Sequence, residues 1–409
     1  MNPYTLVIFT MLVLGIVVQL WLLTRQAAHV RYYRQGVPLL FATQISLEAH
    51  QKSADYTIAK AHLARVSVVI EGGLLLLWTL GGGLDALDQF WRGVLTNPLM
   101  VGVAFILSVT LLMTLLELPL AWYRTFVLEV QFGFNRTTTK LFIGDMVKQM
   151  TLSLILGAPL VAAVLWIMEH AGAWWWCYAW GVWMGFGLLL NWAYPAFIAP
   201  LFNRFTLLAD ETLLTRVTQL VQRCGFTSDG VYVMDGSRRS GHGNAYFTGL
   251  GSHKRIVFFD TLLESLAVDE VEAVLAHELG HFHHHHVRKR WIMVGFSSLA
   301  GLGLLGWLAQ QPAFYQGLGI STASSHAALL LFMLVVPLFG LFFSPLLARL
   351  SRHQEFQADD YAVAMSQPQS LVRALVRLYQ DNAGTLTPDP LYSAFYDSHP
   401  PAPVRVARL

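Results

Sequence analysis

Three residues carry the most chemistry in this chain: His277, Glu278 and His281, within HELGHFHHHH at 277–286. At 3.6 residues per turn, His277 and His281 stand one above the other on a helix face, so two imidazoles can share one metal ion. Glu278 between them is placed to take a proton from water on that ion, the use made of HExxH in zinc peptidases. A five-residue pattern also arises by chance. A histidine tract can equally be a metal sink or a run without chemistry, so a metal site here needs a third ligand.

SRHQEFQADDYA, 351–362, supplies a candidate. Glu355 and Asp359 again share a helical face. Glu355 could complete a His2Glu zinc set, and Asp359 could orient one ligand imidazole by accepting its free N–H. Arg352, one turn before Glu355, could brace the carboxylates. Without the first motif this stretch reads as a membrane-exit helix with a solvated charged face. His283, His284, His285 and His286 cannot all point at one metal from a helix. They read as a solvated cluster, or one lying behind the ligands, just before the basic VRKR; metal capture is the alternative.

The elements that position these residues are mostly apolar. Of 409 residues, 55% are hydrophobic and 13% charged, against roughly 25% charged in a soluble domain, and the mean hydropathy is +0.49. This is a membrane composition. The net charge of +2 and the lack of a basic stripe exclude a nucleic-acid partner. Cys177 and Cys224 lie far apart and read as free thiols.

Apolar runs predict seven spans at about 4–24, 64–88, 97–121, 150–168, 173–197, 291–311 and 326–348. The first lacks a basic n-region and reads as an anchor, not a cleavable signal. With the N-terminus outside, every Lys and Arg except Arg92 falls on the cytoplasmic side, and the C-terminus lies inside. The organisation is therefore 1–197 with five spans, 198–290 as a first extramembrane part, 291–348 with spans six and seven, and 349–409 as a second part. Spans six and seven form a hairpin that returns the chain to one face, where the two motifs can meet. Glu71, Glu117 and Asn191 fall at similar depth. Facing lipid would cost an acid at least about 2.5 kcal/mol, so they face water or protein, or serve as buried hydrogen-bond partners.

Within 198–290, VYVMD and KRIVFFD flank the glycine-rich GHGNAYFTGLGS, which predicts a hairpin or small sheet; KRIVFFD, as an exposed edge, could pair with an extended substrate. VDEVEAVLAHELGHF has helical apolar spacing, with acids in its first turn.

HELGH, EFQAD, NAYFTG followed by KRIVFFDTLL, and the terminal SHPP with Arg405 together resemble the M48 integral-membrane metalloproteases of the Ste24 type, the type I CAAX prenyl proteases. EAHQKSADYTIAKA (48–61), EVQFGFNRTT (129–138) and YPAFIAPLFNRF (194–205) extend the likeness over nearly the whole chain. The resemblance implies a mainly α polytopic membrane fold, with seven helices forming a barrel around a water-filled chamber, plus a cytoplasmic α+β zinc-protease domain. It implies one Zn2+ per chain on His277, His281 and Glu355, with Glu278 as general base and acid and Asp359 behind the ligands. It further implies that Asn244 holds substrate backbone, His399 stabilises the oxyanion and Arg405 contacts substrate. The implied partners are the lipid bilayer and a peptide or protein substrate, prenylated in the CAAX case.

A compact chain ending in PVRVARL without an ER-retrieval sequence favours a bacterial inner membrane over the ER. There the substrates could instead be membrane or misfolded proteins, as for the shorter HtpX-like proteases. A different class, a histidine-rich metal transporter or sensor, would use His283 to His286 and the intramembrane acids and would not need Glu278.

Overall fold

The computed structural model describes residues 2–248 and 253–409. Seven helices are long and apolar enough to cross a membrane: Pro3–Tyr33, Leu47–Trp78, Pro98–Gln131, Thr139–His170, Gly172–Phe202, His286–Leu308 and Ser325–Met365. Asn2 and Asn97 cap the first and third, each followed by a proline that needs no amide partner in the first turn. A bilayer core takes about 20 helical residues. The seventh helix, at 41 residues, must therefore stand well clear of the membrane, and it carries EFQAD out to the other motif.

The second span is displaced from the apolar run at 64–88. Helix Leu47–Trp78 stops before three successive glycines, Gly81 to Gly83, with Gly82 at φ 77. The chain turns there and begins a separate amphipathic helix, Gly83–Val94. Arg92, the one basic residue expected outside, is held at 2.8 Å by buried Asp88, which also meets His326 of the seventh span at 2.7 Å.

The spans form a ring. First packs on second, second on the Arg124–Leu128 turn of the third, third on fourth, fourth on fifth, fifth on sixth, sixth on seventh, and seventh on first, with the seventh also touching the third and fourth. At one end they close on an apolar core that includes Phe105, Val109, Leu165, Leu305 and Leu331, with Phe314 and Ile320 from the connection between spans six and seven. Toward the other end the ring opens: the third span has no buried residue between Val109 and Leu128. Glu71, Glu117 and Asn191 are exposed, and among the described residues neither glutamate has a hydrogen-bond partner. They suit a wet interior, not buried cross-links between helices.

The open end carries a second apolar core under a four-stranded sheet. The strands are β1 (Phe205–Leu207), β2 (Thr227–Met234), β3 (Ala245–Thr248) and β4 (His253–Phe259), in the order β1-β2-β4-β3. A small sheet was expected, but two details differ. VYVMD in β2 and KRIVFFD in β4 run parallel and form no hairpin; β3 and β4 form the antiparallel pair. KRIVFFD is also not an edge. Ile256, Val257 and Phe258 are all fully buried, as in a central strand covered on both faces, and NAYFT in β3 takes the edge instead. The end of the glycine-rich stretch, 249–252, lies outside the described residues.

Candidate active site

The HELGH helix, Val268–His283, buries Val271, Leu275 and Leu279 against this core. Glu270 secures its start by accepting the Ala267 backbone N–H at 3.0 Å. Contact with the seventh helix is close enough to require glycine: a Cβ on Gly280 would lie 2.9 Å from the Ala358 Cα. That approach sets the two motifs face to face.

His277, His281 and Glu355 each offer a ligand atom within 4.8 Å of the others. His277 Nε2 lies 3.4 Å from Glu355 Oε2, and His281 Nε2 lies 3.4 Å from Glu355 Oε1. Ligand atoms at tetrahedral zinc, about 2.0–2.1 Å from the ion, stand about 3.4 Å apart, so the spacing fits such an ion. His399 Nδ1 is 2.7 Å from Glu355 Oε2, yet the ring is not aligned to donate, and Oε2 remains a buried acceptor without a hydrogen bond. A buried carboxylate oxygen in that state calls for positive charge beside it, from a protonated His277 or from a metal ion.

The far side of each imidazole is held. His277 Nδ1 meets Asp359 Oδ1 at 2.9 Å, and Arg405 grips the same carboxylate through Nη2 at 2.5 Å and Nε at 2.9 Å. Arg405 is expected at the substrate; it is instead 6% exposed and bonded to Asp359. Its Nη2 also lies 3.4 Å from His277 Nδ1, but with that nitrogen donating to Asp359 the two are only neighbours. The second imidazole has a partner that sequence reasoning missed: His281 Nδ1 is 2.9 Å from His286 Nδ1, and His286 Nε2 is 3.0 Å from Gln357 Oε1. His286 was read with its neighbours as one tract, although it alone of the four is buried.

Arg352 does not brace the carboxylates. Its Nη1 donates to the Ser393 and Asp397 carbonyls at 3.1 and 2.9 Å, which fixes the segment leading into SHPP and so the approach of His399. Glu278 is half-buried and lines a cavity of about 870 Å3 together with His281, Glu355, His399, Tyr246 and Phe247. Asn244 is exposed at the start of β3 and lines a neighbouring cavity of about 570 Å3 with Arg239 and His242. The stretches at 48–61, 129–138 and 241–248 meet beside it, where Tyr56 donates to Glu129 at 2.6 Å and His242 lies 3.6 Å from the same carboxylate.

Burial disfavours a charged His277, but the Asp359 and Glu355 carboxylates outweigh it and push its pKa up to about 9 in the metal-free protein. Because the folded value lies above the usual one near 6.5, this group stabilises the metal-free fold below that pH. The contribution is lost as pH rises through about 9. A metal must displace that proton, so affinity for zinc is expected to climb with pH up to about 9. Competition with a chromophoric chelator between pH 6 and 9 measures it, and a flat profile would contradict the assignment.

Comparison with known proteins agrees with this geometry. Residues 26–204 match the CAAX prenyl protease N-terminal region, described as five membrane helices, and residues 208–409 match peptidase family M48. The CAAX prenyl protease 1 homolog of Arabidopsis thaliana is 33% identical over 396 residues, covering 91% of this chain and 90% of its own. The chain belongs to peptidase family M48. Within that family, CAAX prenyl protease 1 of Saccharomyces cerevisiae is 34% identical over 399 residues, 91% of this chain and 88% of that one. The crystal structure of S. mikatae Ste24p superposes with a TM-score of 0.92 at 32% identity, covering 100% of this chain and 99% of that one. The M48 chain described here is thus a multi-pass membrane peptidase whose sheet, ring and paired motifs form one known fold.

Proposed function

We propose that this chain is a zinc metalloendopeptidase that cleaves near the C-terminus of prenylated CAAX-type proteins. The observation that carries the reading is the convergence of two imidazole Nε2 atoms on the Glu355 carboxylate, beside a cavity lined by His281, Glu355 and Glu278. Zinc, held by His277, His281 and Glu355, would supply Lewis-acid polarisation of the substrate carbonyl and a more acidic water. Glu278 takes the proton from the attacking water and returns it to the leaving amine. His399, 62% exposed, is free to turn and donate to the oxyanion. The β3 edge, with Tyr246 and Phe247 on the cavity, offers the backbone row on which an extended peptide can add as a strand. Asn244, at the head of that edge, would hold peptide backbone entering from the neighbouring cavity.

The cavity floor supports the substrate class. Met293, Leu347 and Leu350 give it an apolar lining between spans six and seven, suited to a prenyl chain. Lys289 and Arg290 line the same space, exposed, and among the described residues neither side chain has an ion-pair partner. They are placed to receive a free C-terminal carboxylate. Lys289→Gln with Arg290→Gln should raise KM about tenfold to a hundredfold for a peptide acid and leave KM for the C-terminal amide unchanged. Equal effects on both peptides would remove this role.

The test of the reading uses purified protein in detergent, a farnesylated CAAX peptide and its unmodified counterpart. Cleavage of the farnesylated peptide, stopped by a chelator and restored by zinc, is the expected result. Cleavage that survives metal removal would overturn the zinc assignment. Preference for the unmodified peptide would overturn the substrate class and favour membrane-protein quality control.

A further inference from the structure

We propose that His286 and Gln357 form a neutral hydrogen-bond-accepting relay that fixes the tautomer and aim of His281, a role distinct from the charged Asp359–Arg405 support of His277. It rests on the reading of His277, His281 and Glu355 as zinc ligands. His281 turns Nε2 toward Glu355, 3.4 Å from Oε1. For that nitrogen to present a lone pair, the ring proton must sit on Nδ1 and needs an acceptor. His286 Nδ1, at 2.9 Å, is that acceptor. Accepting there leaves the His286 proton on Nε2, which donates to Gln357 Oε1 at 3.0 Å. The bonds then run in one direction from ligand to amide. His286 is 2% exposed, so water does not readily replace it.

The backbone shows why the relay escapes a reading of the sequence. In one continuous helix, residues five apart point about 140° away from each other, so His286 could not face His281. His285 adopts φ 57 and ψ 32, a left-handed conformation uncommon outside glycine. It separates helix Val268–His283 from helix His286–Leu308 and swings His286 back over His281. His283 meanwhile stacks on Tyr361 with ring centroids 4.6 Å apart, and His284 stacks on His286 at 5.6 Å.

The two supports differ in charge. Asp359 brings a carboxylate, compensated by Arg405, to His277; His281 receives only an amide through a second imidazole. The second ligand is therefore oriented without being made strongly basic, and an acid placed at 357 should strengthen metal binding.

The experiment measures zinc dissociation constants by chelator competition, beside the apparent Tm of the metal-free protein, for wild type, Gln357→Leu, Gln357→Glu and His286→Phe. Gln357→Leu, equal in size but unable to accept, should weaken zinc binding about tenfold to a hundredfold, with only the small fall in metal-free Tm that one stranded N–H on His286 brings. Gln357→Glu should bind at least as tightly as wild type. Cobalt substitution should show an altered visible spectrum in Gln357→Leu and a wild-type band shape in Gln357→Glu. His286→Phe should weaken binding at least as much as Gln357→Leu; if it fails to fold, the Gln357 pair decides alone. Wild-type affinity in Gln357→Leu, or equal losses in Gln357→Leu and Gln357→Glu, would overturn the relay while leaving the metal centre standing. No zinc uptake by wild type would overturn the centre and the relay together.

Discussion

Glu278→Gln should lower peptide cleavage about 10⁴-fold while the protein keeps its full zinc content. Glutamine preserves the shape of the half-buried side chain but can neither take a proton from water nor return one. General acid–base catalysis contributes about 10²–10⁴ in rate. Glu278 is assigned both transfers, which places the loss at the upper end. Metal retention follows because the convergent ligand atoms belong to His277, His281 and Glu355, while Glu278 faces the cavity from the helix between the two histidines. Single-turnover cleavage of a fluorogenic peptide, beside zinc by elemental analysis, makes the measurement. Activity within tenfold of wild type would move the general base elsewhere, with His399 the next titratable group on the cavity wall. Loss of zinc together with activity would make Glu278 a ligand.

Arg405→Ala should destabilise the protein by about 3–5 kcal/mol, the cost of leaving a buried charge without its partner. Asp359 is 1% exposed and takes two hydrogen bonds from Arg405. Without them its carboxylate faces His277 alone, and the orientation of that imidazole loosens with it. The change should appear as a large fall in apparent Tm and in zinc affinity. Adding Asp359→Asn should recover part of the lost stability, because it removes the stranded charge. A raised KM at unchanged Tm would instead return Arg405 to the substrate.

Both predictions bear on what the sequence makes legible. The two motifs could be read because their chemistry is local: paired polar residues four apart on one helix share a face, and the second motif supplied the third ligand that the first one needs. The spans were legible for a similar reason, since hydrocarbon imposes a length and a composition. Partners brought together from afar carry no such mark. Arg405 looks like a solvated residue near the C-terminus until the chain folds it against Asp359, and Arg352 looks like a brace for its own helix until Ser393 and Asp397 approach it. KRIVFFD carried its warning in the sequence. Four consecutive apolar residues, Ile256 to Phe259, describe a strand buried on both faces, and an edge would have alternated. His286 was hidden by its neighbours, because a run of like residues conceals the one that the backbone turns inward.

The claim on which the account rests is that one metal ion is gripped by His277, His281 and Glu355. Anomalous diffraction at the zinc edge from crystals of the zinc-loaded protein tests it most directly. One strong peak per chain is expected, bonded to both Nε2 atoms and to the Glu355 carboxylate. A peak on the histidines at 283–285, with the space between His277 and Glu355 empty, would contradict it.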